Sequence, residues 1–140
     1  MTRIDFHFNT PDKLNYACRI VRKAHAAGQP VVVYCSDTTR LSQFDQTLWT
    51  FAPLEFLPHC YAHDPLATQT PILLTSSADR PPSHQVLINL DDERPPFFSE
   101  FERLIEIVGS DDTERNKGRA RYKFYRDRGY ALNNYDQSAP

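Results

Sequence analysis

Val31-Val32-Val33-Tyr34-Cys35 is the stretch on which the fold turns. It is apolar throughout and shows no polar alternation, so the strand it predicts has no face left for water. Strands covered on both sides belong to parallel sheets. Upstream, Ile4, Phe6 and Phe8 alternate with Asp5 and His7 at the period of a strand. Between the two strands, Leu14, Ala17, Cys18, Val21 and Ala24 or His25 recur at helical spacing. Thr10 is expected to cap that helix with Pro11 in its first position, and Gly28 to end it. Downstream, Ser36 or Asp37 is expected to cap a helix carrying Leu41, Phe44 and Leu48. Short strands are expected over 55–58, 72–74 and 86–90. Pro95 and Pro96 are expected to open a helix bearing Phe97, Phe101, Leu104, Ile105 and Val108, broken by Gly109-Ser110. A basic helix then starts at Asp111 or Thr113 and stops at Gly129. The order β-α-β-α-β-β-β-α-α predicts an α/β fold: a single Rossmann-like domain, a mainly parallel sheet with helices on both faces. It spans 1–135, with 136–140 as a flexible tail.

Composition narrows the function. The chain has 140 residues, 40% apolar and 12% aromatic, enough for one core. No window reaches the ~18 uninterrupted apolar residues of a membrane span, and the first residues lack the apolar run of a signal peptide. Cys18, Cys35 and Cys60 cannot all pair within one chain and show no C-x-x-C spacing. They read as reduced, buried thiols, and the localisation expected is cytoplasmic. Four scattered glycines exclude a dinucleotide fingerprint and a P-loop, and no G-x-S-x-G presents a nucleophile. His59-Cys60-x-x-His63 falls short of the four ligands of a structural zinc site. Asp91-Asp92-Glu93 reads as a solvated acidic turn before two prolines. No metal, no cofactor and no catalytic residue is therefore expected.

Charge is distributed unevenly. Arg115, Lys117, Arg119, Arg121, Lys123, Arg126 and Arg128 crowd into residues 114–128 against Glu114 and Asp127; seven less two leaves +5 in a chain of net −2. Arg115, Arg119 and Lys123 stand one above another on a helix face, with Tyr122 beside them. A ladder of like charges is more comfortable with an anionic partner bound. Basic residues interleaved with aromatics suit nucleic acid. They equally suit an acidic peptide ending in an aromatic residue, and the net negative charge leans toward the peptide. A second aromatic cluster, Trp49, Phe51 and Phe56 within residues 49–58, is expected mainly in the core, with a partner-binding patch as the alternative.

Two blocks carry a family resemblance: Leu48-Trp49-Thr-Phe with Phe56-Leu57-Pro58-His59, and Arg119-Ala-Arg-Tyr122-Lys123-x-Tyr125-Arg126-x-x-Gly129-Tyr130-x-Leu132-Asn133. Together they resemble the chi subunit of bacterial DNA polymerase III holoenzyme over essentially the whole chain. The resemblance implies a clamp-loader accessory subunit without activity of its own. It would pair with the psi subunit and bind the acidic, Phe-terminated tail of single-stranded DNA-binding protein, touching nucleic acid only indirectly and no membrane. By the same resemblance the tail would contact Arg115, Arg119, Tyr122 and Lys123, with Val108 lining the pocket for the terminal ring. Psi would contact Phe56, with Trp49 and Phe51. The rival expectation is a direct nucleic-acid-binding protein, or a small nucleotide-acting enzyme on a Rossmann-like fold.

Overall fold

The computed structural model describes residues 1–52, 54–77, 81 and 84–138. Its elements are β1 (Arg3–Thr10), α1 (Lys13–Ala26), β2 (Val31–Tyr34), α2 (Thr38–Phe51), β3 (His59–Tyr61), β4 (Ile72–Thr75), β5 (Val86–Asn89), β6 (Arg103–Gly109), α3 (Asp112–Asp127) and β7 (Ala131–Asp136). Seven strands form one sheet in the order β3-β4-β2-β5-β6-β1-β7, and every pairing is parallel.

The strand that decided the reading shows why. Val31 and Val33 enter one core cluster with α1 and α2; Val32 and Tyr34 enter the other, which α3 covers. Each neighbour alternates in the same way: Ile72 and Leu74 against Leu73, Val86 and Ile88 against Leu87. Helices thus lie on both faces, and the strands between them need no polar side. Gly28 follows α1 in the left-handed conformation at φ +72, as expected of a helix stop.

Four local expectations are corrected. Leu104, Ile105 and Val108 lie on strand β6, not on a helix: Arg103–Gly109 alternates Ile105 and Ile107 toward one face with Leu104 and Val108 toward the other. β-branched residues suit that pleat, and the prolines open only a single 3-10 turn, Phe98–Glu100. Asp12, not Thr10, caps α1, accepting from Asn15 N–H at 3.1 Å. Thr10 closes β1, and its hydroxyl donates to Val108 O at 2.8 Å. Residues 55–58 form no strand; β3 begins one residue after Pro58. β7 is the unforeseen strand. It is polar, and it is held by pairing with β1 rather than by a buried face of its own. Of the expected tail, Asp136 belongs to β7, Gln137 N–H donates to Phe8 O at 2.9 Å, and residues 139–140 lie outside the described residues.

Candidate binding cleft beside helix α3

Asp111 caps α3 by accepting from Glu114 N–H at 2.8 Å, and Asp112 and Glu114 occupy the first turn, where the helix dipole favours acids. The helix is anchored by a buried polar cluster. Glu106 on β6 accepts from Arg121 Nε at 3.0 Å, from Asn89 Nδ2 at 2.9 Å and from the Tyr125 hydroxyl at 2.7 Å. Arg121 Nη1 also donates to Asp92 O at 2.6 Å. Burial alone would lower the Arg121 pKa, but the Glu106 carboxylate outweighs it and raises it. One of the seven cations is therefore a structural post, not surface charge. Burial, reinforced by Glu106, pushes the Tyr125 phenol up as well.

The post fixes the opposite flank of α3 over β1 and β6, where a cavity of about 530 Å³ opens. Phe6 and Phe8 of β1 and Val108 of β6 supply its apolar walls; Arg115, Gly118, Arg119 and Tyr122 of α3 and Asn9 and Asn134 the rest. Tyr122 packs edge-on to Phe6, 5.1 Å between centroids, and its hydroxyl accepts from Asn134 Nδ2 at 3.2 Å. Four of the five residues expected at a tail site, Arg115, Arg119, Tyr122 and Val108, thus line one hollow. Lys123 is exposed and not part of the lining; it follows Tyr122 on the outer side of the helix. Arg115 pairs with Asp112 at 3.1 Å and Arg119 reaches only the Asn116 side chain. Among the described residues Arg119 and Lys123 have no ion-pair partner.

Sequence reasoning missed Phe6, Phe8, Asn9, Gly118 and Asn134. Two left a signal. Phe6 and Phe8 share the phase of Ile4, so they had to share a face. Gly118 interrupts a helix where glycine is unfavourable, which calls for a packing reason. That reason is Val108: a Cβ on Gly118 would lie 2.8 Å from Val108 Cγ1.

At the C-terminal edge of an open parallel sheet, ligands usually enter where neighbouring strands send their helices to opposite faces. Here such a point lies between β1 and β6, where a hollow of about 300 Å³ opens whose polar groups pair with one another. Glu114 Oε1 accepts from Gly109 N–H and from Lys13 Nζ, both at 3.0 Å. The acidic turn is engaged too. Asp91 is buried and accepts from Ser36 N–H at 3.2 Å. Partial burial would raise the Asp92 pKa, but Lys117 at 2.9 Å and Arg40 at 3.3 Å hold it down to about 2. The expected solvated turn is instead a charge knot tying β5 to α2 and α3. No group of three or more His, Cys, Asp or Glu among the described residues could hold a metal ion. His59 is committed through Nδ1 to Leu57 O at 2.7 Å and through Nε2 to Asp45 at 3.0 Å.

The second aromatic cluster is corrected from core to surface. Trp49 is 55% and Phe56 70% exposed, their rings 6.2 Å apart, and Leu54 is fully exposed beside them in sequence. Only Phe51 packs against the core, half-buried, while Leu57 is buried within it. No helix among the described residues is long and apolar enough to cross a membrane.

Comparison with known proteins gives a consistent answer. Residues 1–133 match the family described as DNA polymerase III chi subunit, HolC. A DNA polymerase III subunit chi of Pseudomonas aeruginosa is 34% identical, covering 96% of each chain. Proteins of the same name from Haemophilus influenzae and Escherichia coli are 31% and 27% identical; each match covers 83% of this chain, and 81% and 80% of the relative.

Proposed function

The chain belongs to the DNA polymerase III chi-subunit family, and from that premise we propose that it is a non-catalytic adaptor of the clamp-loader assembly. In this reading the cleft beside α3 takes the acidic, Phe-terminated tail of single-stranded DNA-binding protein. The terminal ring enters between Phe6, Phe8, Val108 and Tyr122. The carboxylates meet Arg119 and Arg115, with Lys123 as an outer contact. The observation that carries the reading is the union of an apolar hollow with two cations on one helix flank, Arg115 and Arg119, of which Arg119 has no ion-pair partner among the described residues. Either feature alone would be ordinary surface; together they match a ligand that is greasy at its end and negative behind it.

The exposed Trp49–Phe56 patch is proposed as the psi contact, with Phe51 as its inner support. Exposed aromatic anchors are what such interfaces use. The patch adjoins β3 at one edge of the sheet and the cleft adjoins β7 at the other. Six strand spacings separate the edges, roughly 29 Å at about 4.8 Å each. Two partners could be held at once, which is what a bridging subunit requires.

Titration with a synthetic Asp-rich peptide ending in Phe tests the reading. Binding in the low- to mid-micromolar range, about −6 to −8 kcal/mol, weakening with salt, is expected. Amidation of the peptide's C-terminus should weaken it further. Oligothymidylate bound more tightly than the peptide, with a steep salt slope, would favour direct nucleic-acid binding instead.

A further inference from the structure

The two edges of the sheet differ. β3 is only three residues long, a common way to blunt an edge. β7 is six residues long and exposed almost throughout, and it carries no Pro, no Lys and no bulge against β1. No strand among the described residues pairs with its outer side. Such an edge is a ready template for another strand.

Its geometry relative to the cleft is specific. Gln137 N–H donates inward to Phe8 O. At a period of two, Leu132, Asn134 and Asp136 therefore turn their N–H and C=O groups away from β1. These residues pair with Ile4, Phe6 and Phe8, so their side chains lie on the α3 face. Asn134 thus serves both places: its side chain lines the cleft and bonds Tyr122, and its backbone faces the open edge.

We propose that the acidic tail binds by strand addition, its residues upstream of the terminal ring extending along β7 as an eighth strand before the chain turns over Asn134 into the cleft. This rests on the tail-docking reading above. Main-chain hydrogen bonds supply part of the affinity, while Arg119 and the apolar hollow select the occupant. The continuity of the edge with a cationic cleft is what commits it to a negatively charged chain rather than to a second copy of this protein.

The test uses the full chain and the Asp-rich, Phe-terminated peptide, N-methylated at one backbone position at a time. Strand addition predicts a period of two, with alternate positions weakening binding roughly tenfold and the intervening ones little affected. On the protein, Asn134→Pro removes an outward N–H without touching a bond to β1, as edge prolines do. It should weaken binding roughly tenfold more than Asn134→Ala, which removes the side chain alone. A flat N-methylation profile overturns strand addition while leaving tail docking intact. Failure of the unmodified peptide to bind overturns both. If Asn134→Pro does not fold, the N-methylation profile still decides.

Discussion

Gly118 sets the distance between α3 and β6. Any larger residue there must displace Val108, which forms a wall of the cleft. Gly118→Ala should cost about 1–3 kcal/mol by overpacking, outweighing the gain in helix propensity. Chemical denaturation measures this, and peptide affinity should fall in parallel. Arg119 and Lys123 look equivalent in sequence but differ in place. Arg119→Ala should lose about 1–3 kcal/mol of tail affinity, since it removes a cation from the hollow itself. Lys123→Ala should lose less than about 1 kcal/mol, and that loss should vanish first in salt. His7 gives a pH signature. Burial lowers its pKa; Asp5 pulls it back in part, and Arg103 and Lys23 push it down again. The unfolded chain then takes up the proton first, so stability should decline as pH falls from about 6.5 toward the folded value. Denaturation midpoints across that window should be flatter in His7→Gln.

Elements were legible wherever periodicity and burial agreed. β2 betrayed itself by having no polar side, α1 and α2 by their stripes, and α3 by its cap and charges. β6 was misread because Phe97, Phe101, Leu104, Ile105 and Val108 happen to fall at helical spacing, while the strand pattern Leu104-Ile105-Glu106-Ile107-Val108 is broken by a glutamate. That glutamate is buried only because Arg121, Asn89 and Tyr125 satisfy it from other elements, and no local signal announces such a contact. β7 escaped for the opposite reason: its order comes from the neighbour it pairs with. Of the cleft, Arg115, Arg119 and Tyr122 on α3 and Val108 on β6 were therefore foreseen, and Gly118 and the residues on β1 and β7 were not. Arg121→Met should destabilise the chain by about 3–5 kcal/mol by leaving Glu106 buried without its cation. Replacing both Glu106 and Arg121 with apolar residues should cost less than that single change.

At the scale of the whole molecule, the cleft and the aromatic patch adjoin opposite edges of one parallel sheet, so neither should feel changes at the other. Phe56→Ala should leave tail affinity within about 0.5 kcal/mol of the parent, because distant sites that share no contacts are additive. The alternative, a nucleotide-acting enzyme, would have to use the hollow of about 300 Å³ at the usual ligand crevice, whose polar groups are already engaged. Lys13, Glu114 and Gly109 already satisfy one another there. The measurement that bears most directly on the adaptor account is a calorimetric titration of the full chain with the Asp-rich, Phe-terminated peptide. Oligothymidylate at the same salt, and Arg119→Ala with the peptide, run beside it. The account predicts micromolar peptide binding that Arg119→Ala weakens about tenfold or more, and oligothymidylate that binds more weakly than the peptide. Heat from oligothymidylate with none from the peptide, or peptide binding indifferent to Arg119, would contradict it.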